Sequence, residues 1–391
     1  MNIPFNKPFL TGREIQYINE AHLSGKLSGN GAFTERCETW LENKMGCQKA
    51  LLTHSCTAAL EMAAILLDIK SGDEIIMPAY TFVSTANAFA LRGGIPVFVD
   101  IRPDTLNIDE TKIEAAITPK TRAIVPVHYA GVGCDMDVIM AIAKKHQLFV
   151  IEDAAHGIMS TYKNRMLGSI GHMGTYSFHE TKNIMSGEGG ALLVNDSQFL
   201  ERAEILREKG TNRTQFFRGE TNKYTWMDVG SSFLPSELTA AFLWAQMEEA
   251  ENITDHRLSL WNVYHAAFKD LAEKNNFRRP IVPLECQHNA HMYYLLLPTL
   301  AKRTEFMMHL KNQGINTVFH YVPLHQSPAG RLYSRTDNEL TITMDLADRI
   351  VRLPLWLGME ELMEYIVRQV VSGFILASTP HVSERAGMTP Q

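Results

Sequence analysis

The chain has 391 residues, of which 45% are hydrophobic and 20% are charged, a composition typical of globular proteins. That length exceeds what one hydrophobic core usually supports, so we expect two domains. There are 37 Lys and Arg against 43 Asp and Glu, which gives a formal net charge of −6. A mildly acidic chain is a poor match for a phosphate backbone, and we therefore expect no nucleic-acid partner.

The cysteines and the apolar runs exclude other classes. The five cysteines are scattered and form no CxxC pair, which argues against a disulfide framework and against a zinc site. The first residues, MNIP, lack the basic and apolar stretches of a signal peptide. No run approaches the roughly 20 apolar residues that span a bilayer. We expect no metal, no membrane partner and a reducing, cytoplasmic location.

Short apolar runs alternate with helical patterns over the first half of the chain. The predicted strands are residues 50–52, 74–77, 96–99, 123–127 and 148–151, and the predicted helices are residues 57–67, 84–91, 111–116 and 135–145. Doubly buried strands separated by helices indicate an α/β domain with a mostly parallel sheet. Ligands of such sheets bind beyond the carboxyl ends of the strands. Polar or turn residues follow at those ends: Thr53, Pro78, Asp100, His128 and Asp153.

A long helical pattern over residues 236–264 predicts the connection to a smaller C-terminal α/β domain. In that domain we predict strands at 292–297 and 317–322 and helices at 305–313 and 344–352. The expected division is a large domain over 1–250, a small domain over 251–378, and a polar, flexible tail over 379–391.

Two segments carry the chemistry that the sequence suggests. In IEDAAH, residues 151–156, an apolar strand ends at Asp153, whose carboxylate fits either a helix cap or a partner for a protonated ring nitrogen. In SFHETKN, residues 177–183, an aromatic strand leads to Lys182 and then to the turn GEGG. A shielded lysine can lose its proton and form a Schiff base with an aldehyde. Lys182 alone is a weak signal, and Asp153 makes it more specific.

Two further segments fit a flat anionic ligand. In THSCTAA, residues 53–59, small hydroxyl residues begin a helix, which indicates either an ordinary cap or an anion site. Ser177 could add a hydroxyl to the same anion. In YTFVST, residues 80–85, two aromatic side chains follow a strand, and one of them could stack on a ring unless both belong to the core.

These motifs, taken in order, resemble the sugar aminotransferases of the DegT/DnrJ/EryC1/StrS family. The resemblance runs over nearly the whole chain through the segments SCTAA, YTFVSTAN, PVHYAG, EDAAH, SFHETKN, GEGG, KGTNR, SELTAA and FHYVPLH. It implies a type I (aspartate aminotransferase-like) fold, a large mostly parallel sheet domain with a smaller α/β domain, and pyridoxal 5′-phosphate (PLP) as cofactor. The motifs are most similar to the branch that aminates dTDP-4-keto-6-deoxy-D-glucose to dTDP-4-amino-4,6-dideoxy-D-galactose.

The resemblance also implies roles for individual residues. Lys182 would attach to the PLP aldehyde, Asp153 would pair with the pyridine nitrogen, and His156 would lie near the phenolic oxygen. Phe82 would lie over the ring, and the phosphate would be held by Cys56, Thr57 and Ser177. In place of an asparagine that reaches the phosphate from the neighbouring subunit, this chain has Ser232, whose hydroxyl can donate one hydrogen bond.

The substrate side follows less directly from the residues. Candidates are Lys26 in a glycine-bordered loop, Lys209 and Arg213 as cations for a diphosphate, and three residues of FHYVPLH: His320, Tyr321 and His325. The implied partners are a nucleotide-diphospho-sugar, glutamate as amino donor, and a second copy of the chain in a homodimer with shared active sites.

Several alternatives stay open on the sequence. The enzyme could act on another keto position or on a UDP-linked sugar, or the chain could be a PLP-binding regulator without turnover. A related dehydratase branch has histidine at the lysine position, so Lys182 favours amino transfer. A nicotinamide dehydrogenase is disfavoured because the turn after Thr53 lacks GxGxxG.

Overall fold

The fold is described from a computed structural model. The structure describes residues 2–336 and 338–378, without the side chains of residues 375–378. The tail predicted to be flexible, residues 379–391, lies outside the described residues.

Helices and strands alternate through most of the described chain. The helices are α1 Glu14–Leu23, α2 Ala32–Met45, α3 Cys56–Leu66, α4 Val83–Ala90, α5 Glu110–Ala116, α6 Met136–His146, α7 Leu200–Arg207, α8 Arg213–Phe217, α9 Glu237–Glu248, α10 Ala250–Ala267, α11 Lys269–Asn275, α12 Leu300–Asn312, α13 Pro328–Tyr333, α14 Thr341–Arg349 and α15 Met363–Ser378. The strands are β1 Lys49–Thr53, β2 Glu74–Pro78, β3 Ile95–Val99, β4 Thr121–Ile124, β5 Phe149–Asp153, β6 Thr161–Tyr162, β7 Arg165–Met166, β8 Met173–Ser177, β9 Gly190–Val194, β10 Cys286–Gln287, β11 Tyr293–Leu296, β12 Arg335–Thr336 and β13 Ile350–Leu353.

An eight-stranded sheet forms the centre of the fold, in the order β1-β9-β8-β5-β4-β2-β3-β12. β9 runs antiparallel to both of its neighbours, and the other pairs are parallel, so β9 is the one reversed strand of this sheet. The prediction of a mostly parallel sheet is therefore confirmed.

The sheet is buried on both faces because successive residues of its strands enter different cores. In β1, Ala50 and Leu52 pack into one hydrophobic cluster, whereas Leu51 packs into the other. Side chains alternate across a strand, so a strand with apolar residues at every position must be covered on both sides. This explains why the apolar runs of the sequence identified the central strands.

Local capping explains where the helices beside the strands begin. Ser55 precedes α3 in an extended conformation, and its side chain accepts a hydrogen bond from the N–H of Ala58. Asp135 caps α6 in the same way through the N–H of Val138. A side-chain oxygen at this position satisfies an N–H group that the helix leaves unpaired. The first turn of α3 therefore lies directly beyond the carboxyl end of β1.

The C-terminal part differs from the prediction at three places. The pattern over 236–264 forms two helices, α9 and α10, which meet at Glu249. The predicted strand 317–322 is wrong, because only Val318 forms a bridge, with Arg352. The predicted helix 344–352 is wrong at its end, where residues 350–353 form β13 and pair with β11. An apolar run that ends a helical pattern can complete a sheet instead, and periodicity alone does not separate the two.

The division at residue 250 stays a prediction. Chain from beyond that residue also joins the first half: β12 extends the large sheet beside β3, and β10 pairs with β6. In the other direction, Ile3 forms a bridge with Ile315, and the Trp356 indole donates to the carbonyl of Pro4 at 3.1 Å. The N-terminal strap, residues 3–6, is therefore fixed to the C-terminal part.

Three further observations concern the described residues only. All five cysteines are buried with free thiols. Within residues 2–336 and 338–378 there is no cluster of His, Cys, Asp and Glu that could hold a metal ion. None of the helices described is long and apolar enough to cross a membrane.

Gly190 allows β9 to approach the start of α3. A Cβ atom at this position would lie 2.4 Å from the backbone N of Cys56 and from the backbone C of Ser55. Backbone atoms cannot rotate away as the end of a side chain can, so a methyl group here forces the strand and the helix apart.

We predict that Gly190→Ala lowers the free energy of unfolding by about 1–3 kcal/mol, the usual cost of overpacking. Urea unfolding of the purified variant measures this. Gly189→Ala is the matched control, because its Cβ would meet the rotatable Ser186 hydroxyl first. Equal stability of Gly190→Ala and the unaltered chain would contradict the close approach.

Candidate active site

A cavity of about 690 Å³ opens beyond the carboxyl ends of the central strands. Nine of the residues predicted from the sequence line it together: Cys56, Thr57, Phe82, Asp153, His156, Ser177, Lys182, His320 and Tyr321. They come from segments that follow β1, β2, β5 and β8 and from the segment after α12. The position agrees with the rule that ligands of parallel sheets bind at the strand ends.

Lys182 lies in the loop between β8 and β9. Its Nζ makes no hydrogen bond or ion pair with the residues that the structure describes. Burial lowers the pKa of Lys182 to about 8, against the weaker opposing effects of Cys56 and Asp153. The next residue, Asn183, fixes the loop through bonds to the carbonyl of Asn289 at 2.8 Å and to Nδ1 of His291 at 3.1 Å. Lys182 is therefore held in a shielded place where its neutral, nucleophilic form is accessible.

Asp153 ends β5 and presents its carboxylate to the same cavity. One oxygen accepts a hydrogen bond from the Thr85 hydroxyl at 2.7 Å, and the other accepts from the N–H of Ala155 at 3.1 Å. Thr85 is itself 2.8 Å from the hydroxyl of Thr81. The carboxylate is thus oriented by two donors and keeps acceptor capacity for a ligand.

Glu152 and His128 form a buried pair directly behind Asp153. The His128 Nδ1 accepts from the N–H of Cys134 at 3.1 Å, so its Nε2 carries the proton and donates to Glu152 at 2.8 Å. Both side chains are fully buried. Glu152 also accepts hydrogen bonds from three backbone N–H groups at 2.6–2.8 Å, those of Gly168, Ile170 and Gly171. This network fixes the end of β5 from the opposite side.

His156 is neutral in this cavity. Burial lowers its pKa well below the usual range, and the positive charge of Lys182 adds to the effect. Its Nδ1 lies 3.4 Å from the N–H of Ala130 and its Nε2 lies 3.3 Å from the Tyr321 hydroxyl. The ring stacks on His291 at 4.2 Å. A neutral imidazole in this position can offer one N–H to an oxygen atom of a ligand.

Residues around the first turn of α3 form the polar end of the cavity. The Thr57 hydroxyl lies 2.7 Å from that of Ser84, and Ser177 is buried at the end of β8. Burial raises the pKa of the Cys56 thiol, which therefore stays protonated. Backbone N–H groups and hydroxyls at a helix N-terminus suit a phosphate group.

Five predicted residues lie elsewhere in the single chain. Lys26, Lys209, Arg213 and Ser232 line a second cavity of about 890 Å³, which shares no lining residue with the first. In this cavity Lys26 donates to the carbonyl of Asn30, and the Arg213 guanidinium lies 5.2 Å from the Phe217 ring centroid. His325 lines neither of these two cavities and lies in the short 3-10 helix Leu324–Gln326.

Residues 8–371 match the model of the DegT/DnrJ/EryC1/StrS aminotransferase family. The chain belongs to this family.

Relatives of this chain have different names and functions. The chain is 35% identical over 384 residues to the spore coat polysaccharide biosynthesis protein SpsC of Bacillus subtilis, and the match covers 95% of this chain and 97% of the relative. It is 31% identical over 353 residues to GDP-perosamine synthase of Escherichia coli O157:H7, covering 90% and 93%. Spr1654 of Streptococcus pneumoniae in its PMP form has a TM-score of 0.88 at 25% identity, covering 96% of this chain and 100% of that one. The PLP form of the same protein gives 0.87.

These findings confirm that the chain is a sugar aminotransferase and that its cofactor is PLP. The residues of the first cavity fit this cofactor. A lysine with a lowered pKa, a carboxylate at a strand end and a helix N-terminus line one space. With PLP bound, such groups would offer an amine to the aldehyde, an acceptor to the ring nitrogen and N–H groups to the phosphate.

Several residues at the first cavity were not predicted from the sequence motifs. Thr85 lies within the segment YTFVSTAN, but only the fold shows its contact, because helix α4 places its hydroxyl beside Asp153. Arg257 from α10, His291 from the segment before β11 and Arg352 from β13 line the cavity far from any motif. A single cation in a helical pattern looks like a surface residue, so the sequence carries no signal for Arg257 or Arg352.

We predict that Lys182 of the apoenzyme captures PLP with a rate that rises with pH and levels off above about 8. Only the neutral amine attacks an aldehyde, and an ordinary lysine reaches that form near pH 10.4. Capture at pH 6–10, trapped by borohydride and located by mass spectrometry of peptides, measures the midpoint.

Peptides with surface lysines in the same samples serve as the control and should still gain reactivity above pH 9. A Lys182 rate that keeps rising tenfold per pH unit between pH 9 and 10 would contradict the lowered pKa.

Proposed function

We propose that this enzyme converts dTDP-4-keto-6-deoxy-D-glucose to dTDP-4-amino-4,6-dideoxy-D-galactose with L-glutamate as amino donor, a step of enterobacterial common antigen synthesis. The observation that carries amino transfer is the presence of Lys182 and Asp153 in one shielded cavity. The choice of sugar rests on the resemblance of the motifs. It needs its own test, because a relative at 31% identity is a GDP-perosamine synthase.

Lys182 and Asp153 divide the proton chemistry between them. PLP, when bound, supplies an electron sink that stabilises the electron pair left on a carbon after its proton is removed. Lys182 Nζ would hold the cofactor through its aldehyde and, once released, would serve as general base and acid for the proton at the donor Cα. Its pKa of about 8 suits both directions near neutral pH. Asp153, whose carboxylate is oriented by two hydrogen bonds, would pair with the protonated ring nitrogen.

The remaining cofactor residues position the ring. Cys56, Thr57 and Ser177 would hold the phosphate at the first turn of α3, and Phe82 would lie over the ring. Phe82 is 57% exposed in the single chain, with its ring 6.3 Å from that of Tyr321. Its exposure suits a side chain that becomes covered when the cavity is filled.

His156, His320 and Tyr321 line the side where the sugar would enter. His320 Nδ1 lies 2.7 Å from the hydroxyl of Tyr129, and its ring stacks on Tyr321 at 3.7 Å. Burial lowers the pKa of His320 well below its usual range, so it is neutral. Neutral hydrogen-bonding groups on a rigid aromatic wall suit the hydroxyl and keto groups of a sugar.

We also infer that the active enzyme is a homodimer. Lys26, Lys209, Arg213 and Ser232 lie outside the Lys182 cavity of their own chain, so a role at the substrate needs a second chain. Large apolar side chains are exposed on the neighbouring segment: Phe217, Tyr224, Trp226, Met227 and Val229. An exposed patch of this kind beside polar residues is typical of a protein contact.

Mixed dimers test the sharing of sites. We expect Lys182→Ala and the double variant Lys209→Glu with Arg213→Glu each to be inactive alone. When both chains are co-expressed, a mixed dimer keeps one intact site, so roughly a quarter of all sites regain activity. If the double variant is active alone, Lys209 and Arg213 do not belong to the active site. If both variants are inactive and co-expression restores no activity, the two chains do not share active sites.

A panel of nucleotide sugars tests the reaction itself. The purified holoenzyme is incubated with glutamate and with dTDP-, UDP- and GDP-linked sugars that carry a 4-keto or 3-keto group. Mass spectrometry detects the aminated products, and NMR of the product assigns the carbon and its configuration. We expect the dTDP-4-keto-6-deoxy sugar to be the preferred substrate and the new amino group to be axial, as in the galactose configuration.

Lys182→Ala is the control and should lower turnover by about a thousandfold or more, because it removes the acid–base group as well as the attachment point. Turnover retained by this variant would contradict the proposed chemistry. Preference for a GDP- or UDP-linked or 3-keto sugar would replace the proposed substrate. A chain that binds PLP and aminates none of the sugars would favour a regulator without turnover.

A further inference from the structure

The segment PVHYAG, residues 126–131, takes no part in the proposed proton chemistry. Its residues Tyr129–Gly131 form a short 3-10 helix between β4 and α6. The ring of Tyr129 packs at 6.1 Å against that of His156, which lines the Lys182 cavity. Tyr129 is only 1% exposed, so its hydroxyl has to find a partner inside the protein.

Tyr129 is bonded to a histidine of the substrate side. Its hydroxyl lies 2.7 Å from Nδ1 of His320, and this is its one hydrogen bond among the residues that the structure describes. The buried Tyr80 hydroxyl forms none there. Burial raises the pKa of Tyr129 well above its ordinary value, and burial lowers the pKa of His320 well below its own. Both groups are therefore neutral, and one hydrogen atom lies between them.

That hydrogen atom belongs to Tyr129 in the arrangement that leaves no donor of this pair unused. If Nδ1 of His320 donated to the phenol oxygen, the Tyr129 O–H would have no acceptor in the described part of the chain. A buried hydroxyl without an acceptor loses its hydration without compensation. When Tyr129 donates instead, Nδ1 is the acceptor, and Nε2 of His320 carries the proton.

The His320 ring is held in one orientation. One face stacks on Tyr321 at a centroid distance of 3.7 Å, and Tyr129 holds the Nδ1 edge. Nε2 forms no hydrogen bond with the described residues and is not fully buried, and the ring lines the Lys182 cavity. His320 therefore presents a fixed N–H donor to a ligand.

The same turn orients a second histidine. Ala130 has a left-handed backbone conformation, with φ 57° and ψ 17°, which is uncommon for a residue with a side chain. Its N–H lies 3.4 Å from Nδ1 of His156, so that Nδ1 is again the acceptor. Nε2 of His156 then carries the proton, 3.3 Å from the Tyr321 hydroxyl. Consecutive residues of one turn thus set the same tautomer in both histidines.

We propose that Tyr129 is a positioning residue: its hydroxyl fixes the tautomer of His320, whose Nε2–H donates to an oxygen of the keto-sugar. The inference rests on the proposed amination of a keto-sugar and adds a group that selects the sugar at the same site. A neutral donor suits a hydroxyl or keto oxygen, whereas a carboxylate or phosphate gains more from a cation. In the other tautomer Nε2 would present a lone pair and repel the same oxygen.

Nitrogen-15 NMR of the holoenzyme, labelled at histidine, tests the tautomer directly. The His320 signals are those that disappear in His320→Gln. We expect the unaltered enzyme to carry the proton on Nε2. Tyr129→Phe should move the two ring signals toward the average of the tautomers, because nothing then holds Nδ1 as acceptor.

Tyr294→Phe is the matched control for Tyr129→Phe. Tyr294 is also buried, its ring lies 6.0 Å from that of Tyr129, and its hydroxyl forms no hydrogen bond with the described residues. Loss of this hydroxyl should leave the His320 signals unchanged.

The two half-reactions measure the consequence for the sugar. When the PMP form meets the keto-sugar, cofactor absorbance follows the reaction. We expect Tyr129→Phe to raise the half-saturating keto-sugar concentration by about 3- to 10-fold, the effect of one hydrogen bond. The half-reaction with glutamate should keep its half-saturating concentration. His320→Gln can place an amide N–H near the position of Nε2, so it should lose less than His320→Phe.

Calorimetry separates the sugar from the nucleotide without turnover. dTDP-6-deoxy-D-glucose has a hydroxyl in place of the keto group, so it binds without reacting. Tyr129→Phe should weaken its binding to the PLP form by a similar factor, whereas dTDP alone should bind the variant and the unaltered enzyme equally.

Either of two results would overturn the role of Tyr129. One is a proton on Nδ1 of His320 in the unaltered enzyme, or ring signals that Tyr129→Phe leaves unchanged. The other is an equal loss of affinity for dTDP and for the dTDP-sugar, which would show a nucleotide contact or a general loss of structure. If the panel yields no aminated sugar, the proposed substrate fails, and the ring signals still decide whether Tyr129 sets the tautomer.

Discussion

The active site depends on the alternation of side chains at the end of β5. Glu152 and Asp153 are consecutive, so the strand directs them to opposite faces of the sheet. Glu152 is locked among backbone N–H groups and His128, and Asp153 consequently points into the cavity with its carboxylate held by Thr85. A shift of β5 by one residue would turn each acid to the other face of the sheet. Such a shift is costly because the buried N–H groups and His128 around Glu152 would lose their acceptor.

The electrostatics of the cavity follow from burial around this fixed carboxylate. Asp153 favours the charged form of Lys182, but burial outweighs it and lowers the lysine pKa to about 8. Lys182 and Arg352 in turn help to keep His156 neutral. The wall around His156 therefore carries neutral hydrogen-bonding groups, while Asp153, Glu188, Lys182 and two arginines carry the charges of the cavity. Fixed dipoles and charges of this kind need little reorganisation when charge moves during a reaction.

The sequence predicted those features of the fold and the site that depend on neighbouring residues, and it missed those that depend on contacts between distant parts of the chain. Apolar runs gave the central strands because each is buried on both faces, and the family motifs placed Lys182, Asp153 and Thr57 in one cavity. The segment 344–352 was misjudged because its last residues turn to pair with β11, a contact that no local pattern records. The formation of β13 also brings Arg352 into the cavity. Arg257 needed the bend at Glu249, where the predicted single helix divides.

The two halves of the chain contribute different chemistry to one cavity. The strand ends of the first half supply groups that suit a resident cofactor: a lysine, a carboxylate and a helix N-terminus. The C-terminal half supplies neutral rings and the guanidinium groups of Arg257 and Arg352, which suit ligands that bind and leave in each cycle. A transaminase must admit a charged donor and an uncharged keto group to the same atoms in turn. A cavity lined by both guanidinium groups and neutral hydrogen-bonding rings offers contacts of each kind.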